Sequence, residues 1–191
     1  MANKVCSHKN RRKGMKRVFV WGAGLGVCLW CVASLAYAAE GTTAKAVLTA
    51  TDAGAAVFGE VHFTQKENGV EATADLAGTP AGTRGFHVHE NGSCAEAGAA
   101  AGGHFNPDRH EHGLLPKDGL EGAHAGDMGN ITIAEDGSGD YSAFLKGLSL
   151  SEGRYNIMGK AVILHEKADN FGQPTGNAGG RIGCGIIEII K

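Results

Sequence analysis

From residue 57 onward, apolar and polar positions change places every second residue. In 57–65, Val57, Val61 and Phe63 fall on one side and Phe58, Glu60, His62 and Thr64 on the other, the pattern of a half-buried strand. Asn68-Gly69 then precedes 70–76, where Val70, Ala72, Ala74 and Leu76 alternate with Glu71, Thr73 and Asp75. An Asn-Gly step between alternating runs predicts a hairpin. The alternation returns in 130–134, in 140–145 across the turn Asp136-Gly137-Ser138-Gly139, in 160–165 and in 183–190. No stretch of useful length carries an amphipathic helical pattern. Short strands with Gly-rich turns predict an all-β fold, an antiparallel β-sandwich or flattened barrel. Two segments break the rhythm: 91–129 and 166–180 are long, irregular and Gly-rich, as functional loops are.

The first 38 residues have a different organisation. Lys4, Lys9, Arg11, Arg12, Lys13, Lys16 and Arg17 precede the apolar run 18–35, which closes on Ala36-Tyr37-Ala38. This is the form of a secretory signal peptide with an A-x-A cleavage site, so a mature domain is expected over 39–191, delivered across the inner membrane into the periplasm. Met15-Lys16-Arg17 would by itself begin a leader of ordinary length, and Arg11-Arg12 leaves the twin-arginine route open beside the general one.

Export changes the reading of composition. Three of the five cysteines lie in the leader, and the remaining pair, Cys94 and Cys184, reads as one disulfide in an oxidising compartment. Seven of the eighteen Lys and Arg residues also lie there and none of the twenty acids do, so the formal charge moves from −2 to −9. An acidic secreted domain does not suit nucleic acid or an anionic membrane as a partner.

Within 85–90, His87 and His89 sit two apart on a strand pattern and project to one face. Two imidazoles on one face can share a transition metal such as copper, zinc, iron or nickel. Cupins and hydrolases also carry H-x-H, so that pair does not choose among them.

The rest of the chain narrows the choice. Gly85-Phe86-His87-Val88-His89-Glu90, Gly103-His104-Phe105-Asn106-Pro107, His112-Gly113, His124-Ala125-Gly126-Asp127, His165-Glu166-Lys167-Ala168-Asp169 and Gly176-Asn177-Ala178-Gly179-Gly180-Arg181 to Cys184-Gly185 occur in that order. In this the chain resembles the copper/zinc superoxide dismutases, over roughly 45–190, with loops more like the bacterial periplasmic branch. The resemblance implies a Greek-key barrel with a zinc and disulfide loop and an electrostatic loop.

It further implies copper on His87, His89, His104 and His165, and zinc on His104, His112, His124 and Asp127, with His104 bridging. Three imidazoles and one carboxylate are a closed, structural type of zinc set. Asp169 would orient one histidine of each metal, and Arg181 would attract and hold the superoxide anion, with Cys94 bonded to Cys184. The implied reaction is disproportionation of superoxide to oxygen and hydrogen peroxide. The 166–180 loop lacks the charge cluster of longer relatives, leaving Lys117 and Lys167 as candidate substitutes. His62 and His110 are expected to be solvated surface residues, and oligomeric state is open between monomer and homodimer. A metal carrier tends to lose copper ligands or the arginine, all present here. A zinc hydrolase or cupin would want a second carboxylate, which is missing.

Overall fold

In the computed structural model, residues 41–52 and 56–190 are described, and the leader expected over 1–38 lies outside them. Among the described residues the alternation resolves into nine strands: β1 Thr43–Ala50, β2 Phe58–Lys66, β3 Gly69–Ala77, β4 Gly82–His89, β5 Asp127–Ile133, β6 Gly139–Lys146, β7 Ala161–His165, β8 Arg181–Ile186 and β9 Glu188–Ile189. One short helix, α1 (Leu115–Asp118), and a 3-10 turn at Ala99–Ala101 lie in the first irregular segment. No helix among the described residues is long and apolar enough to cross a membrane.

All the strand pairs are antiparallel, in the order β5-β4-β7-β8-β1-β2-β3-β6, with β9 attached to β1. Neighbours such as β4 and β7 or β1 and β8 are far apart in the chain, which gives the Greek-key connectivity. The two end strands, β5 and β6, are joined by the turn at Asp136-Gly137. Across that seam Tyr141 donates its hydroxyl hydrogen to the Met128 carbonyl at 2.9 Å, and the sheet forms a nearly closed barrel.

Inward residues fill the barrel. Leu48, Phe63, Leu76, Phe86, Val88, Leu145 and Leu164 are fully buried in one cluster, and each such side chain contributes about 1.5–3 kcal/mol relative to exposure. The inward row of β1 is Ala44, Ala46 and Leu48, too small-sided to announce a strand in advance. The expected last run 183–190 is instead two strands, because Ile187 is buried and its N–H donates to the Lys160 carbonyl at 2.9 Å.

A second, smaller cluster lies outside the barrel wall: Ala101, Ala161, Ile163 and Cys184, with Cys94 packed against it. The disulfide Cys94–Cys184 holds it together, joining residues 90 apart with a Cα–Cα distance of 5.7 Å. The expected cysteine pairing is therefore observed. The loop that carries Cys94 is thereby tied to β8.

Candidate metal centre

The outer face of β4 and β7 would ordinarily meet water. Phe86 and Val88 point into the barrel, so His87 and His89 point out, and their pairing with Ile163 and Ala161 places His165 on the same outward row. Yet His87 is 0 % exposed and His89 1 %. Both long loops fold over this wall, and the histidines lie between barrel and loops. Register shifts between Gly85 and His87 and between Leu164 and His165 re-aim both strands where the histidines emerge, a common use of a bulge.

Two four-residue groups result, His87, His89, His104 and His165, and His104, His112, His124 and Asp127, each with one donor atom apiece within 4.8 Å of the others. His104 belongs to both. Its Nδ1 is 2.8 Å from Asp127 Oδ1 and 3.5 Å from His124 Nδ1, which leaves Nε2 for the other group. In that group the Nε2 atoms of His89 and His165 stand 3.3 Å apart.

The remaining ring nitrogens are tied from behind. Nδ1 of His89 meets the Gly102 carbonyl at 2.9 Å, and Nδ1 of His165 meets that of Gly179 at 3.3 Å. Nε2 of His87 is 2.8 Å and Nε2 of His112 2.9 Å from Asp169 Oδ2. A third group, His87, His112 and Asp169, is therefore built from back-facing nitrogens, and the carboxylate orients the two rings. Among the described residues, two buried side-chain atoms lack any hydrogen bond, Nδ1 of His87 and Nδ1 of His112. The His112 atom lies 2.9 Å from Asp127 Oδ2 without hydrogen-bond alignment, so nitrogen and carboxylate both aim at a third point. Buried orphan nitrogens that converge this way suit a metal ion, because an unpaired buried polar atom is otherwise costly.

Electrostatics sort the rings. Burial pushes His89 down to about 2, His165 to about 3 and His104 to about 4, with neighbouring imidazoles adding to the effect. These rings are neutral at neutral pH and keep a lone pair to donate. Burial also disfavours charge on His112, but the carboxylates of Asp127 and Asp169 outweigh it and raise the group to about 9. Both acids are lowered despite their own burial, by the histidines that donate to them.

One of the two groups lines an open cavity. A cavity of about 180 Å³ is lined by His89, His104 and His165 together with Thr175, Asn177 and Arg181, and by none of His112, His124 or Asp127. Arg181 is half-buried in its wall. Its guanidinium donates to the carbonyls of Gly98, Ala99 and Gly102, the last at 2.6 Å. The Gly102 carbonyl thus serves both Arg181 and His89. The three residues after Ala95 have left-handed backbones (Glu96 φ 56°, Ala97 φ 50°, Gly98 φ 81°), which turns the Gly98 carbonyl toward Arg181.

Every residue predicted to hold a metal, and Asp169, converges here. Lys167 is exposed, with its stem against Gly179 at the cavity rim, whereas Lys117 lies on α1 and pairs with Asp118 at 3.8 Å. His62 lies on the outer barrel surface, 3.1 Å from Glu60. His110 departs from expectation. It is half-buried, its Nδ1 meets the Leu120 carbonyl at 2.5 Å, and it pins the loop without joining either group. Two carboxamides had no signal in advance, Asn130 and Gln173. Each bonds to main chain far away in sequence, and no local pattern marks such a contact.

Comparison with known proteins adds two findings. A family model described as copper/zinc superoxide dismutase (SODC) matches residues 57–187. Among solved structures, the one titled "Crystal Structure Analysis of the clock protein EA4" is 38% identical, with a TM-score of 0.70, covering 79% of this chain and 96% of that chain.

Proposed function

This chain belongs to the copper/zinc superoxide dismutase family, and from that premise we propose that it disproportionates superoxide to oxygen and hydrogen peroxide, with one copper and one zinc ion per chain. Copper would be held by His87, His89, His104 and His165, and zinc by His104, His112, His124 and Asp127. The observation that carries the reading is the single ring of His104, with one nitrogen turned to each group. Copper, when bound, supplies one-electron exchange, taking an electron from one superoxide and returning it to the next, whereas zinc has no redox chemistry.

The chain's own residues do the remainder. Arg181 faces the cavity and offers a permanently charged, planar donor to a small anion. The carbonyls behind it hold that donor in place, so little reorganisation is needed when the anion arrives. His104 Nε2 takes up a proton between the two encounters and yields it to the departing peroxide, the second proton coming from solvent. The other nitrogen of the same ring, Nδ1, stands 2.8 Å from Asp127 Oδ1 among the residues that would hold zinc, and that anchorage would keep the ring plane fixed while Nε2 gains and loses its proton. Asp169 steadies one ring of each group. The zinc-side residues His112, His124 and Asp127 are buried and line no part of the cavity, which suits a structural ion. Lys167 beside the cavity rim is the candidate for additional steering in a molecule that is acidic overall.

We assign the work to the periplasm, after removal of 1–38. The support is the leader pattern and a disulfide, a bond that is common in oxidising compartments and rare where thiols are kept reduced. The test is metal analysis of the purified protein together with superoxide decay followed by pulse radiolysis, repeated for His165→Ala. Two metals per native chain are expected, with copper and activity lost and zinc kept in the variant. Full activity in the variant, or a native protein that takes up both ions without accelerating decay, would overturn the proposal.

A further inference from the structure

His112 lies in a segment with no regular secondary structure, so nothing in a ladder holds its main chain. Its N–H donates to Gln173 Oε1 at 2.9 Å, and its carbonyl accepts from Gln173 Nε2 at 2.9 Å. Neither group has a main-chain partner among the described residues. One carboxamide, 61 residues away, thus pairs both polar groups of this peptide as a strand neighbour would.

The same device occurs across the pocket. Asn130 Nδ2 donates to the Asp169 carbonyl at 2.9 Å, and the Asp169 N–H donates to Asn130 Oδ1 at 2.7 Å. The residues gripped in this way are the two whose side chains meet, His112 Nε2 and Asp169 Oδ2. Gln173 reaches from the Asp169 loop back to His112, and Asn130 from β5 to Asp169, so the pair is fixed at three points. The loop between them is closed on itself by Asn170 N–H to the Gly176 carbonyl at 2.9 Å.

We propose that Gln173, supported by Asn130, is a positioning residue for the zinc-side pocket: its carboxamide clasps the main chain of His112 so that Nδ1 stays aimed at the ion, and this clasp sets how slowly the ion leaves. The inference rests on the reading that His104, His112, His124 and Asp127 hold zinc. Neither carboxamide touches the ion. Each acts through a residue that does, or through that residue's carboxylate partner. Partners of this kind change metal affinity by about 10–100-fold when removed.

Gln173→Met keeps the length and volume of the side chain but deletes both hydrogen bonds, and Gln173→Ala deletes the side chain as well. Zinc-loaded native protein and both variants are mixed with an excess of a colour-forming chelator, and the rate of zinc transfer is recorded. Cobalt(II) placed in the same pocket reports geometry through its visible spectrum, and thermal unfolding of the metal-free proteins controls for general loosening. Both variants are expected to release zinc at least about tenfold faster, with altered cobalt bands, and Asn130→Ala to fall in between. Native release rate and native cobalt spectrum in Gln173→Met would overturn the clasp while leaving the zinc assignment intact. If His112→Ala binds zinc as the native protein does, the ion is not in this pocket, and both the assignment and the clasp fall.

Discussion

Replacing Gly176 by alanine should damage this protein far more than replacing Gly119, although both have a similar positive φ, +74° and +69°. A positive φ costs an alanine about 1–3 kcal/mol, at Gly119 (ψ −179°) as at Gly176. The surroundings differ. A Cβ at Gly119 would meet nothing within 4 Å, whereas at Gly176 it would overlap Asp169 Oδ1 and stand 2.7 Å from His112 Nε2. To make room the carboxylate must withdraw from the Phe171 N–H, now at 2.7 Å, and from His112 Nε2, at 3.0 Å on that oxygen. Hydrogen bonds to a charged group are worth about 1.5–3 kcal/mol each, so Gly176→Ala should lose about 3–6 kcal/mol beyond Gly119→Ala. For a domain of this size that is roughly 10–20 °C in melting temperature. Circular-dichroism melts of the two metal-free variants, run side by side, measure the difference. Midpoints within about 3 °C of each other would refute the close-approach argument.

Opening the Cys94–Cys184 bridge, which spans 90 residues, should cost about 4–5 kcal/mol by loop-closure entropy, read as a lower denaturant midpoint in Cys94→Ser/Cys184→Ser. Because the same loop carries the carbonyls that hold Arg181, superoxide decay should slow in that variant even when metal content is matched. Arg181→Ala should lower the decay rate at least about tenfold with both ions retained, and Arg181→Lys should fall between, since an ammonium cannot span the Gly98 and Gly102 carbonyls as the guanidinium does. A lysine variant as fast as the native protein would show that fixed geometry is dispensable. Stability of the metal-free protein should peak near pH 6.5. His89, His104 and His165 are depressed to about 2, 4 and 3, so their contribution is complete above the unfolded value of about 6.5 and drains away as pH falls toward 4 and below. His112, raised to about 9, contributes fully below about 6.5 and loses that contribution as pH climbs through 9. Melts at pH 4, 6.5 and 9.5 check both limbs, and equal midpoints would contradict them.

The donor residues could be read from sequence because their chemistry leaves a local trace. His87 and His89 two apart on a strand share a face wherever the strand lies, and His124 with Asp127 is equally compact. Strands β2 and β3 were legible for a similar reason: Val61, Phe63, Val70 and Leu76 contrast sharply with their polar neighbours. Strand β1 was not, since Ala44 and Ala46 bury little surface and give a faint apolar signal. Gln173 and Asn130 were invisible because a carboxamide bonding to a peptide 61 or 39 residues distant has no spacing of its own. His110, expected to be solvated, is half-buried. The Leu120 carbonyl that accepts its proton is brought near only by the path of the loop. The dual use of the Gly102 carbonyl, which joins Arg181 to His89, belongs to the same class of contact.

The donors are scattered over four stretches of chain, and His87 meets Asp169 across 82 residues. A molecule still being synthesised, or clipped ahead of β7, owns only fragments of either pocket and pays the full entropy of bringing them together. On the proposed two-ion reading, ion retention would be a census of finished molecules: the fraction of a preparation that withstands dialysis with both ions would count the chains whose barrel, bridge and covering loops have all closed.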